Sequence, residues 1–116
     1  MKQTAVIGLS THVLNTSNGL PADDMLVKFQ ALEGEKWCDR FEARTNSNGR
    51  INSMSNGAIV EGTFRLVFAT GEWFERRCTE CFFPEVAIEF RITDPMRHHH
   101  VPLLLSPFGY STYRGS

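Results

Sequence analysis

The chain has 116 residues, 41% of them hydrophobic and 22% charged, which is ordinary globular composition and enough for one core but not two. Twelve Lys+Arg against thirteen Asp+Glu leave a net charge of -1, so there is no basic surplus to neutralise phosphates and no nucleic-acid partner is expected. No apolar run approaches the ~18 residues of a membrane-spanning helix, and the opening stretch lacks the sustained apolar core of a secretory leader, which points to a cytoplasmic protein.

Period two dominates from the start. Ala5, Ile7, Leu9 and Val13 fall on one side of a first strand, and Val6, Gly8, Ser10 and His12 on the other. The turn residues Thr16-Ser17-Asn18-Gly19 follow. Met25, Val27, Phe29 and Ala31 then alternate with Leu26, Lys28 and Gln30 up to a turn at Glu33-Gly34-Glu35. Beyond it Trp37, Phe41 and Ala43 alternate with Lys36, Cys38, Arg40, Glu42 and Arg44. Turn clusters at Asn46-Ser47-Asn48-Gly49 and Ser55-Asn56-Gly57 precede a strand with Phe64, Leu66 and Phe68 on one face. The alternation lapses over Gly71–Arg77, where Thr70 is placed to cap a short helix with acids early and arginines late. Val86, Ile88, Phe90 and Ile92 resume it, and Thr93-Asp94-Pro95 ends that strand. In the last stretch His98 and His100 share a face and His99 takes the other. Pro102 removes a ladder donor, so this strand is expected at an edge or with a local irregularity.

Short alternating segments with regular turns predict half-buried antiparallel strands in a two-sheet all-β sandwich, one domain over residues 1–116, with the helix at its edge. Three features need more than architecture. His12 points away from the core, yet it lies inside the first strand between apolar stretches. Leu103-Leu104-Leu105 does not alternate, so both its faces need cover, and another copy of the chain supplies the second. The chain closes on Tyr113-Arg114-Gly115-Ser116, polar and aromatic where termini are usually nondescript. Cys78-Thr79-Glu80-Cys81 has the spacing of half a zinc site, but no second ligand pair matches it. The thiols, Cys38 included, read as buried or incidental, and neither metal nor redox chemistry is expected.

Leu9-Ser10-Thr11-His12-Val13-Leu14, Gly19-Leu20-Pro21-Ala22, Asn48-Gly49-Arg50, His100-Val101-Pro102-Leu103-Leu104-Leu105-Ser106-Pro107 and the closing Tyr110-Ser111-Thr112-Tyr113-Arg114-Gly115-Ser116 stand in one order along the whole chain. In these the sequence resembles the 5-hydroxyisourate hydrolase family, the transthyretin-related enzymes of urate breakdown. The resemblance implies an eight-stranded transthyretin-like sandwich with one short helix, assembled as a homotetramer. The resemblance also implies a dimer of dimers, with active sites where the dimers meet. The family commonly has His-Tyr-His where this chain has His98-His99-His100, which leaves the local packing at His99 open.

The reaction implied is hydrolytic ring opening of 5-hydroxyisourate, a cyclic amide, with no cofactor and no metal. Such chemistry needs a base for water, a cation for the developing oxyanion and donors that hold a planar ring. His12 and His100 are the candidates for base and partner, in either order, and Arg50 for the cation. His12 and Arg50, with Tyr113, Arg114, Gly115 and Ser116, would bind the substrate. His98 and Ser10 would support them from behind, Ser10 or Thr11 supplying a hydrogen bond. The competing reading is a carrier that binds an aromatic ligand or a protein in the same channel.

Overall fold

The computed structural model describes residues 8–116, and the expected strand positions Ala5, Val6 and Ile7 lie outside the described residues. In chain order the elements are β1 (Leu9–Asn15), β2 (Leu20–Pro21), β3 (Leu26–Glu33), β4 (Lys36–Arg44) and β5 (Arg50–Ile51). They continue as β6 (Gly62–Phe68), α1 (Thr70–Glu75), β7 (Val86–Ile92), β8 (His99–Ser106) and β9 (Gly109–Thr112). One sheet runs β4-β3-β6-β7; the other runs β2-β1-β8-β9, with β5 also paired to β1. The two-sheet sandwich with one short helix is therefore as expected. Among the described residues there are nine strand segments, two of which, β2 and β5, are two-residue pairings along β1.

The alternating residues meet between the sheets. Leu9, Val13, Leu103 and Leu105 from one sheet and Val27, Leu66, Phe68, Val86 and Ile92 from the other are almost fully buried. Each such side chain contributes about 1.5–3 kcal/mol by leaving water, so this shared layer is what holds the sheets together. Phe29 and Phe64 stack within it at 5.1 Å between ring centroids.

Four expectations change. The first strand is not antiparallel to its main neighbour: β1 and β8 run parallel, from Leu9 opposite His99 to Asn15 opposite Leu105. Period-two burial is the same for either direction, so alternation carries no information on it. Trp37 does not share a face with Phe41. The β3 register jumps from Phe29 opposite Phe41 to Gln30 opposite Asp39, so Arg40 is the extra residue of a bulge and the face inverts beyond it. Cys38 consequently stands opposite buried Ala31, and Trp37 lies outside with the Arg65 guanidinium 4.4 Å above its ring.

Thr70 does not cap α1. Ala69 occupies the N-cap without a side-chain bond, and the buried Thr70 hydroxyl donates to the Phe83 carbonyl instead. Arg76 and Arg77 fall at and beyond the helix end; Arg77 lays its guanidinium 3.7 Å from the Trp73 ring. Finally, β8 is no edge strand: it lies between β1 and β9. The proline is accommodated by the irregularity, described below, in its pairing with β9.

Candidate active site

The site is built outward from β1, whose two edges are occupied by different strands. On one edge the Asn46 side chain organises a turn, its Oδ1 accepting from the backbone N–H of Asn48 at 2.9 Å and of Arg50 at 3.0 Å. Gly49 has a left-handed φ of +74°, and its carbonyl accepts from the Val13 N–H at 2.8 Å. A Cβ at Gly49 would lie 2.5 Å from the Val13 carbonyl oxygen, so only glycine lets the turn close on β1. The closure sets Arg50 directly opposite His12. Directly opposed residues share a face, so guanidinium and imidazole stand together on the outer side of the sheet.

Along the other edge Ser10 is opposite His100, and His12 is opposite Pro102. The Ser10 hydroxyl lies 2.8 Å from Nε2 of His98 and 2.8 Å from Nδ1 of His100. A hydroxyl has one proton, so it donates to one ring and accepts from the other, which ties the tautomers of the two histidines together. Thr11, one residue on and therefore on the opposite face, donates to the Val101 carbonyl at 2.6 Å and takes no part. Of these two residues, Ser10 is the one that lies within hydrogen-bond distance of the histidine rings.

The chain end completes this edge. β9 pairs with β8 down to Thr112 opposite Leu103, and the pairing returns at Gly115 opposite His100. Three steps back along β8 match three forward along the tail, so the tail continues β9 in register, with a gap opposite Val101 and Pro102. The missing proline N–H is the local irregularity that the sequence predicts. Gly115 donates its N–H to the His100 carbonyl at 2.8 Å. A Cβ at Gly115 would lie 2.4 Å from Cδ2 of His100, so the glycine backbone lies against the imidazole.

Both facing histidines are shifted toward the neutral state. Desolvation and then the charge of Arg50 lower the pKa of His12, opposed by a hydrogen bond to the Asn48 backbone. His100 is lowered by the same two causes in the same order, with smaller contributions from His12 and His98. Near neutrality the site therefore offers two uncharged imidazoles beside a fixed cation.

Tyr113 and Arg114 are exposed and, together with His100, line a cavity against Ile88 and Phe90 of β7; His12 and Arg50 are not part of that lining. Ser116 is exposed. Leu14 and Leu104, opposite each other on β1 and β8, continue the outer face beyond His12 and are half-buried. Cys38, Cys78 and Cys81 are free thiols, and among the described residues no three His, Cys, Asp or Glu side chains are grouped to hold a metal. Sequence reasoning missed Asn46, whose Asn-x-Asn-Gly spacing is a turn signal but gives no hint that its carboxamide positions Arg50.

Comparisons with known proteins agree with the fold. The model of the HIUase/Transthyretin family matches residues 9–115. The 5-hydroxyisourate hydrolase of Salmonella dublin is 40% identical, over 93% of this chain and 80% of that protein. That of Mus musculus is also 40% identical, over 93% of this chain and 94% of its own length. The solved structure of Klebsiella pneumoniae 5-hydroxyisourate hydrolase superposes with a TM-score of 0.84 at 40% identity, covering 93% of this chain and 98% of that one.

Proposed function

The chain belongs to the HIUase/Transthyretin family, and from that premise we propose that it is a 5-hydroxyisourate hydrolase. It opens the six-membered ring to 2-oxo-4-hydroxy-4-carboxy-5-ureidoimidazoline in cytoplasmic urate breakdown. The observation that carries this reading is the convergence of His12, His100 and Arg50 on one outer face, with two neutral rings beside a permanent cation. A pocket that only held an aromatic ligand has no use for that combination, whereas amide hydrolysis has a use for each member.

In the mechanism we infer, His12 is the base. Burial and the Arg50 charge keep its ring neutral against the opposing influence of the Asn48 backbone, and a neutral imidazole has one nitrogen with a free lone pair. That nitrogen takes a proton from water as the water oxygen attacks the ring carbonyl. Arg50 stabilises the oxyanion of the tetrahedral intermediate. The C–N bond then breaks, the proton passes to the departing nitrogen, and a carboxylate is left. His100, steadied by Ser10 and Gly115, orients the water and the departing nitrogen. Tyr113, Arg114, Gly115 and Ser116 enclose the ring when chains assemble as a homotetramer, a dimer of dimers in which Leu14 and Leu104 find their cover.

The test is spectroscopic. Hydroxyisourate is generated from urate with uricase, and the decay of its near-ultraviolet band is followed with and without the protein. Accelerated decay is expected, and Arg50→Ala should slow turnover by ~10²–10³, the usual loss when an oxyanion donor is removed. Decay at the uncatalysed rate overturns the proposal in favour of a carrier.

A further inference from the structure

Cys78-Thr79-Glu80-Cys81 lies in the connection between α1 and β7, outside the strands and the turn that carry His12, Arg50 and His100. Two backbone bonds close the helix where this segment begins. Cys78 donates its N–H to the Glu75 carbonyl at 2.9 Å, and Thr79 donates to the Phe74 carbonyl at 3.0 Å. The residue at such an exit is left-handed and is usually glycine. Here it is Cys78, with a φ of +54°. A nucleophilic side chain held in a conformation that disfavours side chains points to a use.

The two thiols differ in access. Cys78 is exposed rather than buried, while Cys81 is half-buried and its Sγ donates to the Phe83 carbonyl at 3.5 Å. An accessible thiol next to a sheltered one is the arrangement of an attacking and a resolving cysteine. Both line one open cleft of about 610 Å³, together with Phe82 and with Glu72 and Glu75 of α1. Phe82 anchors the far end of the segment, its N–H donating to the Pro107 carbonyl at 2.8 Å. Between the anchors, Glu80 and Cys81 make no backbone–backbone hydrogen bond among the described residues, so the segment can tighten without breaking one. The charge lining the cleft has one sign. Neither Glu72 nor Glu75 is in an ion pair among the described residues, whereas Arg76 and Arg77, next to Cys78 in the chain, are held by Asp24 and Asp23.

We propose that Cys78 and Cys81 form a redox-active dithiol that small disulfides close to an intrachain disulfide, cationic ones in preference to anionic ones. The Cys78 thiolate attacks one sulfur of the reagent, which forms a mixed disulfide and releases one thiol. The Cys81 thiolate then attacks the Cys78 sulfur and displaces the second thiol. The protein loses two electrons and two protons, and the reagent gains them as its two free thiols. Glu72 and Glu75 concentrate a cationic reagent at the cleft and repel an anionic one. In a reducing compartment the pair rests as the dithiol.

The test uses the intact chain carrying Cys38→Ser, which leaves only this pair, with cystamine as cationic probe and oxidised glutathione as anionic probe. Alkylation and peptide mapping by mass spectrometry are expected to show both thiols lost and residues 78 and 81 joined within one chain. Cys81→Ser should stop at a mixed disulfide on Cys78, and Cys78→Ser should react about tenfold more slowly, since the remaining thiol is sheltered. At low salt cystamine should outpace oxidised glutathione by about tenfold, and Glu72→Gln with Glu75→Gln, or 1 M salt, should cut that ratio several-fold. No reaction, separate adducts on the two cysteines, a link between chains, or a ratio unmoved by the paired substitution overturns the proposal. None of these residues belongs to the hydrolytic site and the readout is covalent state rather than turnover, so the proposal stands or falls apart from the hydrolase reading.

Discussion

Two side-chain details set the chemistry that the site can perform. The first is the neutral state of His12 and His100. Their pKa values are lowered from the ordinary histidine value of 6.5, so the basic form persists into mild acid and the acid limb of kcat/KM is expected to have its midpoint below 6.5. Stability follows the same sign. The unfolded chain takes up these protons first on acidification, so the contribution is complete above 6.5 and is lost as the pH falls through the lower folded values. A pH series of chemical denaturation and of initial rates measures both. The second detail is the contact of Gly115 with His100. Gly115→Ala places a methyl 2.4 Å from Cδ2 in the starting geometry, so either the imidazole or the tail must move. A displacement of about 1 Å in a catalytic group costs on the order of 10²-fold in rate. The expected outcome is that loss in kcat with an unchanged thermal midpoint, since the tail contributes nothing to the core. Parity put His12 on the outer side of its strand and His98 with His100 on one side of theirs, while only the family resemblance implied that the two strands meet in one site. The glycine contact was hidden, because it depends on the tail rejoining β8 beyond the proline.

At the scale of elements, the turn from Asn46 to Gly49 is the device that aims Arg50. Gly49→Ala forces a side chain into a left-handed conformation and against the Val13 carbonyl. Together these should cost about 2–4 kcal/mol, measurable as a lower denaturation midpoint with an unchanged slope. Activity should fall further than stability alone explains, because Arg50 loses its place opposite His12. The element boundaries were largely readable, since Gly and Asn clusters mark most turns and alternation marks the inner faces. Pairing was not. The bulge at Arg40 turns Trp37 outward, yet a single inserted residue leaves no local mark in a strand already rich in charge. The helix was legible as a break in alternation, while Thr70 bonds to a carbonyl thirteen residues away that no local rule anticipates.

For the molecule as a whole, the outer face of the β1–β8 sheet is the surface on which the proposed tetramer rests. Leu104 is half-buried there while Leu103 and Leu105 are in the core. In the proposed tetramer it is covered, so Leu104→Arg should lower the mass seen by light scattering from four chains to two and abolish turnover, leaving the circular dichroism of each chain intact. Apart from the family resemblance, the unbroken leucine run was the sequence signal of this. The parallel seam between β1 and β8 has a further consequence for the birth of the protein. Its partners are ninety residues apart, so an early-made segment waits several seconds at ribosomal speed before its central neighbour exists. Leu9 and Val13 spend that interval bare, and closing so long a loop is slow even afterwards. Nascent chains should therefore lean on chaperones, and the mature sheet forms only after β8 has been synthesised.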